Sequence, residues 1–223
     1  FDMGCGSGRW ARFVAPKVKT LNCIEPSDAI FIAKENLKKH KNVAFYNDTT
    51  DTCSLKFKSQ DFGYCLGVLH HLPDTQKGLI DCGNLLKSGA PFLLYLYYDF
   101  ENKPKWFKLV WKASNLLRLL ISKLPRFFKL FICVVIAFII YLPLSRTALL
   151  IHKCGLKTNN IPLSDYKDKS IYQMMNDSLD RFGTRIERRF SKNQIKKMLE
   201  HAGFERIEFS AYPPFWCCIS YKI

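Results

Sequence analysis

Three glycines near the start of the chain have the spacing of a ligand-binding turn. In the stretch D-M-G-C-G-S-G, Gly4, Gly6 and Gly8 follow Asp2 at alternate positions. Glycines allow the backbone to approach a ligand without Cβ atoms in the way, so this turn is interpreted as a cofactor loop between a strand and a helix. The spacing differs from that of a P-loop and from the full dinucleotide fingerprint, so a phosphate group is not the indicated ligand.

A carboxylate about twenty residues after the glycines completes a nucleoside site. Glu25 directly follows a predicted buried strand over residues 21–24. Its two oxygens can accept hydrogen bonds from both ribose hydroxyls of an adenosyl group. An adenosyl group bound without phosphates indicates S-adenosylmethionine as the cofactor.

Two adjacent histidines are the candidate catalytic residues. His70 and His71 come just after a predicted strand over residues 62–68, at the sheet edge where such folds bind ligands. An imidazole with a pKa near neutral can accept a proton from a methyl acceptor, and Asp74 could orient one ring. The alternative is that the pair only shapes a pocket. No fourth ligand accompanies these residues, so no metal site is predicted.

Four further side chains are candidates for contact with the acceptor. Tyr97 and Tyr98 end the predicted fifth strand at the same sheet edge, and they either touch the acceptor or cover the core. Arg181 and Arg185 are either binders of an anionic acceptor or solvated arginines.

The elements that must position these residues alternate strands with helices. Further strands are predicted over residues 42–46 and 90–98, and helices from Ser27 or Asp28 to about 40 and over 74–86. This order is typical of a parallel sheet with crossover helices. At the chain end, a helix over 191–201 capped by Ser191, then strands over 204–209 and 215–221, are expected to complete the sheet, the two strands as an edge hairpin.

Four motifs in order resemble those of the class I S-adenosylmethionine-dependent methyltransferases. They are D-M-G-C-G-S-G from residue 2, I-E-P from residue 24, D-F-G-Y-C-L-G-V-L-H-H-L-P-D from residue 61 and L-L-K-S-G-A-P-F-L-L-Y from residue 85. The segment from residue 189 to 209 resembles the final helix and strand of that family. The resemblance implies an α/β fold, a Rossmann-like doubly wound sheet of seven strands with the last antiparallel, and an enzyme of class EC 2.1.1.-.

The resemblance also implies which residues contact S-adenosylmethionine. Asp2 organises the loop, Gly4, Cys5 and Gly6 face the amino acid and sulfonium part, and Glu25 binds the ribose. For adenine, Asp48 is preferred over Thr49 and Asp51 in a stretch that departs from the common family pattern. The complete implied set is Asp2, Gly4, Cys5, Gly6, Gly8, Glu25, Asp48, Thr49, Leu66 and Gly67.

Residues 99–189 interrupt the regular pattern with a basic and apolar segment. Lysines at positions 105, 108, 112 and 123, with Trp106, Leu117 and Leu120 among the apolar residues opposite, predict an amphipathic helix that ends at Pro125. Thirteen apolar residues, 130–142, follow, fewer than the about twenty that cross a bilayer, so residues 127–144 are expected to be interfacial or re-entrant rather than to span the membrane. The alternative is a dry helical lid with solvated lysines.

Charge and cysteine usage bear on partners and location. The net charge is +15, and residues 101–160 hold eleven Lys and Arg but only one acid. Because this charge lies among Phe and Leu, it favours an anionic membrane surface over nucleic acid, and no base-flipping motif follows the fourth strand. Nine cysteines without a C-x-x-C pair indicate buried thiols in a reducing compartment. We expect a cytoplasmic protein, peripheral on the inner face of the membrane.

These patterns predict three segments. Residues 1–98 form the cofactor-binding core, residues 99–189 a helical insertion, and residues 190–223 a helix and two strands that complete the sheet. Because the chain opens inside the glycine motif, the first strand is expected to be truncated and cofactor affinity to be low until the preceding residues are restored. The expected function is a bacterial-type methyltransferase acting on a small or lipid-like acceptor near a membrane. The alternatives are a soluble small-molecule methyltransferase and an S-adenosylmethionine-binding module without catalysis.

Overall fold

The computed structural model describes residues 1–158 and 160–223, which form two units. Unit 1 consists of Phe1–Tyr98 and Arg188–Ile223, and unit 2 of Asp99–Glu187. The first division coincides with the predicted one after Tyr98. The second falls two residues before the predicted boundary at 189, because the backbone from Arg188 onward already bonds to unit 1 through His70 and Tyr97.

Unit 1 is built on a seven-stranded sheet in the order β3-β2-β1-β4-β5-β7-β6. Strands β1 to β5 are parallel, and β7 runs antiparallel between β5 and β6. The strands are β1 (Asp2–Met3), β2 (Leu21–Ile24), β3 (Val43–Tyr46), β4 (Gly63–Leu66), β5 (Pro91–Tyr95), β6 (Phe204–Phe209) and β7 (Cys218–Lys222). The doubly wound sheet with its last strand antiparallel is therefore confirmed. The last two strands form the expected hairpin at one edge of the sheet, with β6 outermost and β7 paired to β5.

Both faces of the sheet are covered by helices. These are α1 (Ala11–Val14), α2 (Ala29–Asn36), α3 (Thr75–Leu85) and α8 (Lys192–His201). Ile30 of α2 packs with Leu21 and Tyr64 in one buried cluster, while Leu79 of α3 and Ile195 of α8 pack in the other. The glycine loop and the end of β4 thus rest on a core packed from both sides.

Several strands are shorter than predicted, because a strand ends where its neighbour in the sheet ends or where the chain turns away. β5 was expected to reach Tyr98 but ends at Tyr95, where β4 also ends and β7 has already turned away. β4 ends at Leu66 because Gly67 has a φ of +80°, which turns the chain out of the sheet. The residues released from both strands lie at the carboxyl edge of the sheet.

Unit 2 is helical and contains α4 (Lys105–Ile121), α5 (Arg126–Ile136), α6 (Leu142–Lys153) and α7 (Ile171–Gly183). A π-helical turn over Ala137–Tyr141 joins α5 to α6, so one helix runs from Arg126 to Lys153. The helix extends beyond the segment 127–144 that the sequence singled out. The helix continues because the wide turn accommodates a proline, which has no N–H to donate.

By length and composition alone, this 28-residue helix could cross a membrane. Its most apolar window has a mean hydropathy of 2.6, and 17% of that window is buried. The same length and composition also occur in helices that lie in a membrane interface or pack inside a soluble core.

Candidate functional site

The glycine loop between β1 and α1 is fixed by hydrogen bonds to the end of β2. The Gly4 and Cys5 amides both donate to the Ile24 carbonyl, at 2.8 and 3.1 Å. Gly4 has a φ of +76°, and a Cβ atom there would lie 2.4 Å from the nearest Val68 methyl carbon. Only glycine satisfies both constraints, because an L side chain would be strained and would clash.

Glu25 is anchored directly to this loop. Its Oε2 accepts a hydrogen bond from the Gly6 amide at 3.0 Å, and its Oε1 accepts from the amide and hydroxyl of Ser27 at 3.1 and 2.5 Å. A carboxylate offers about four acceptor sites, of which three are used. A ribose with two hydroxyls would take the free site on Oε2 and displace the Ser27 hydroxyl from Oε1. The geometry therefore fits the predicted ribose contact.

Open space lies beside two glycines on adjacent strands. Gly6 follows β1 and Gly67 follows β4, both have positive φ, and a Cβ atom built on either would meet nothing within 4 Å. The Gly67 amide donates to the Tyr95 carbonyl at 3.0 Å, which holds it at the sheet edge next to half-buried Leu66. A side chain at either position would occupy this space. We call the backbone at Gly6 and Gly67 the cradle, and the space beside it is available to a bound nucleoside.

Asp2 and Cys5 lie beneath the cradle with buried side chains. Burial raises the pKa of Asp2 from 3.8 to about 7, against a smaller opposing effect of the Tyr64 hydroxyl. The neighbouring Cys23 thiol and burial raise the pKa of Cys5, whose side chain packs with Ala11. Cys5 would therefore contact a cofactor through its backbone rather than through a thiolate.

The predicted adenine residues follow β3 in a loop that is closed by its own hydrogen bonds. The Asp48 Oδ2 accepts from the amide and hydroxyl of Ser54 at 2.9 and 2.7 Å. Thr49 donates through its hydroxyl to Asp51 at 2.5 Å. Asp48 is half-buried and stands at the carboxyl end of the strand next to β2, whereas Thr49 is exposed. The assignment of adenine to Asp48 stays a prediction.

His70 and His71 form one aromatic cluster with Tyr97. The His70 ring is fully buried and stacks on Tyr97, with ring centroids 3.8 Å apart, while His71 is half-buried and meets Tyr97 edge-on at 5.8 Å. The Arg189 guanidinium lies 5.2 Å from the Tyr97 ring and donates to the Tyr98 carbonyl at 3.2 Å. Of the two histidines, only His71 is partly exposed. Arg189 carried no recognisable motif and was missed in the sequence.

Two of the candidate roles are replaced by other contacts. Asp74 is exposed and accepts a hydrogen bond from the Lys77 amide, so it caps α3 rather than orienting a histidine. Arg181 is 8% exposed and pairs with Glu187 at 2.7 Å inside unit 2, so it is neither solvated nor open to an anionic acceptor. Among the described residues, no group of His, Cys, Asp and Glu could hold a metal ion.

Comparisons with known proteins agree with this geometry. Residues 1–92 match the family model described as a methyltransferase domain. Over 92 residues the chain is 30% identical to the ubiquinone biosynthesis O-methyltransferase of Saccharophagus degradans, a match that covers 40% of this chain and 39% of that protein. The match thus spans less than half the length of this curated relative.

Solved structures extend the similarity in fold to the whole chain. A methyltransferase dependent on S-adenosylmethionine from Methanosarcina mazei aligns with a TM-score of 0.56 and 15% identity, covering 100% of this chain and 91% of that chain. One from Aquifex aeolicus aligns with a TM-score of 0.52 and 14% identity, covering 99% and 78%. Residues 1–92 are thus similar to a methyltransferase domain, and the chain has the fold of the S-adenosylmethionine-dependent methyltransferases, with S-adenosylmethionine as the implied cofactor.

Proposed function

We propose that this chain transfers a methyl group from S-adenosylmethionine to a hydroxyl of a small, lipid-like acceptor. The observation that carries the proposal is the position of the histidine cluster next to the cofactor loop. Val68, which packs against Gly4, directly precedes the turn Leu69–His71. His71 is four residues beyond Gly67, an implied cofactor contact, so an acceptor can be held between the base and the cofactor.

His71 is the proposed base. When bound, S-adenosylmethionine supplies a methyl group that its sulfonium has already activated. The partly exposed imidazole of His71 accepts the proton that the acceptor hydroxyl loses as the new C–O bond forms, and S-adenosylhomocysteine is the second product. His70 is a positioning residue, because its ring is buried against Tyr97 and its carbonyl accepts the Arg188 amide at 3.0 Å.

Aromatic side chains support a planar acceptor. Tyr95 and Tyr97 lie at the carboxyl edge of the sheet with ring centroids 6.0 Å apart, and Tyr98 contacts Phe215 at 5.7 Å. Ring faces of this kind favour an aromatic acceptor such as a quinol with an apolar tail. The similarity to a protein named for ubiquinone biosynthesis supports the same class. For a tailed acceptor, the inner face of the cytoplasmic membrane is the proposed location.

The test is methyl transfer from labelled cofactor to an alkylated quinol, with His71→Gln as the variant and His201→Gln, at the exposed end of α8, as the matched control. We expect His71→Gln to lower kcat about 100-fold or more while the affinity for S-adenosylhomocysteine stays within twofold. The His201→Gln variant should behave as the native chain.

Three other outcomes would contradict parts of this proposal. Unchanged turnover in His71→Gln would refute the assigned base. Label that appears only in water-soluble metabolites would favour a soluble small-molecule methyltransferase. Cofactor binding without labelled product from any acceptor fraction would favour a binding module.

A further inference from the structure

Helix α4 packs several polar side chains inside unit 2 and exposes most of its leucines. Its side toward the unit 2 interior carries buried Arg118 together with half-buried Trp111 and Ser114. Its outer side carries leucines, of which Leu116 and Leu120 are 66% and 68% exposed. The sequence-based expectation was an apolar face for lipid or core, and the structure exposes the leucines of α4 while Ile121 packs in the core of unit 2.

A polar network explains why the leucines are not needed inside. Arg181 pairs with Glu187 at 2.7 Å and donates to the Ser114 hydroxyl at 3.0 Å, and the Trp111 indole donates to Glu187 at 3.2 Å. Arg118 donates to two backbone carbonyls of residues 184 and 185 at 3.0 and 2.8 Å. These bonds join α4 to α7 and to the segment after it, so the outer leucines are left for another partner.

Exposed apolar residues line one side of α4 and occur again on the next helix, α5. We define the apolar surface of unit 2 as the exposed residues Leu109, Leu116, Leu117, Leu120, Leu124, Phe127, Phe128 and Phe131. Monomeric soluble proteins rarely expose a contiguous patch with this many large apolar side chains. A partner must therefore cover it.

Charge identifies that partner. Residues 105–153 contain no Asp or Glu. Lys105 and Lys112 are exposed and seven residues apart, so they lie along one edge of the apolar face of α4, while exposed Lys123 follows α4 and Arg126 begins α5. Apolar side chains beside an edge of lysines match the acyl chains and phosphates of an anionic bilayer.

Helix α7 determines how the surface meets the bilayer. It runs antiparallel beside α5 and α6, with the Ser178 hydroxyl on the Cys133 carbonyl at 2.9 Å and the Ser145 hydroxyl near the Met174 sulfur at 3.8 Å. The same stretch of α7 carries Asp177 and Asp180. If the helix from Arg126 to Lys153 crossed a bilayer, α7 would take two carboxylates into the hydrocarbon, at a high cost.

We propose that the apolar surface of unit 2 inserts into one leaflet of an anionic membrane, with α4 and α5 parallel to the bilayer plane and no crossing by α5 and α6. This inference rests on the proposed function, because a lipid-like acceptor would reach the protein from that membrane. Its test needs neither cofactor nor acceptor, so the two can fail separately.

The first experiment measures partition of the chain onto vesicles of phosphatidylcholine with and without about 30% phosphatidylglycerol, which gives the vesicle surface a negative charge. We expect the chain to bind the vesicles that contain phosphatidylglycerol. Binding should be about tenfold or more weaker to vesicles of phosphatidylcholine alone, and also weaker by that factor at high salt. Phe127→Glu should reduce partition about tenfold or more. Phe31→Glu, the same change at an exposed site of α2 in unit 1, should leave it unchanged.

Equal losses in both variants, or no binding of the native chain, would overturn the proposal. The affinity of each variant for S-adenosylhomocysteine serves as a check that unit 1 is folded. Quenching of Trp106 fluorescence by brominated lipids, assigned with a Trp106→Phe variant, gives a second measurement on the native chain. Trp106 is exposed on α4, so absence of quenching would also count against insertion.

The second experiment separates a helix that lies in the interface from one that spans. Cys154 follows α6 and is the exposed cysteine among the described residues. After addition of protein to preformed vesicles, we expect Cys154 to react with a membrane-impermeant maleimide, with Cys154→Ser identifying that label. Protection of Cys154 until detergent is added would show that the helix crosses and would refute the in-plane orientation.

Discussion

Replacing Glu25 with glutamine tests whether its carboxylate binds the ribose of the cofactor. The change keeps the size of the side chain and lets one oxygen still accept the Gly6 amide, which lies 3.0 Å away. It removes the charge and converts the other oxygen into a donor, so one of the two ribose hydrogen bonds is lost and the second is weakened. Hydrogen bonds to charged groups contribute about 1.5–3 kcal/mol each.

The expected loss is about 2–3 kcal/mol, because the Ser27 hydroxyl already occupies part of the acceptor capacity before the cofactor binds. Titration calorimetry with S-adenosylhomocysteine should therefore show a Kd increased about 30- to 150-fold. Ser27→Ala removes that competing hydroxyl, and we expect it to change the Kd less than threefold.

Glu35→Gln is the matched control for charge. Glu35 is exposed on α2 and pairs with Lys38 at 3.4 Å, an interaction that contributes little to stability. Its Kd for S-adenosylhomocysteine should equal that of the native chain. A Glu25→Gln variant that binds within threefold of the native chain, or a Glu35→Gln variant that loses as much, would refute the assigned ribose contact.

Three further predictions concern stability and the cradle. Because the pKa of Asp2 is raised to about 7, its contribution to stability is present in full below pH 4 and is lost as the pH rises to 7, by at most about 4 kcal/mol; Asp2→Asn should flatten this dependence in urea unfolding at pH 4 to 8. Gly67→Ala places a Cβ in the open space at a φ of +80°, so it should cost about 1 kcal/mol in urea unfolding and lower S-adenosylhomocysteine affinity, and native affinity would contradict the cradle. Arg181→Ala leaves Glu187 buried without its ion pair and should destabilise unit 2 by about 3–5 kcal/mol in thermal unfolding, with partial recovery when Glu187 is also changed to Ala.

The sheet could be predicted because its strands are short buried runs between helices. Leu21–Ile24 was placed to the residue, since Leu21, Cys23 and Ile24 lie directly before Glu25-Pro26, which marks the end of the strand. Strand ends were less accurate, because they depend on the partner strand: β5 stops at Tyr95 where both neighbours stop, and no local residue in the stretch after it marks that end.

The site was predictable where the backbone imposes a residue type. Gly4, Gly6 and Glu25 are brought together by the hydrogen bonds between the glycine loop and β2, as their spacing indicated. Arg189 could not be found, because its place above the Tyr97 ring depends on the return of the chain after unit 2. Pairings across long sequence distances leave no local pattern.

The helical insertion shows the limit of amphipathic patterns. The pattern of α4 predicted its lysines opposite the leucines, but Lys105 and Lys112 are exposed beside them. The side that packs inside is a different one, because that choice depends on partners elsewhere in the chain. Arg181 and Glu187 supply those partners and take the polar face inward. The run after Pro125 was correctly predicted as helical, but its continuation past Pro143 depended on a π-helical turn with no signal in the sequence.

The most direct test of the central claim is transfer of label from S-adenosylmethionine, labelled on its methyl group, to a lipid extract incubated with the chain. We predict label in an apolar product of the lipid fraction that is stable in alkali, as expected of an ether. Its amount should equal that of the S-adenosylhomocysteine formed. Binding of S-adenosylhomocysteine without label in any lipid, or label confined to water-soluble compounds, would contradict the proposed methyl transfer to a lipid-like acceptor.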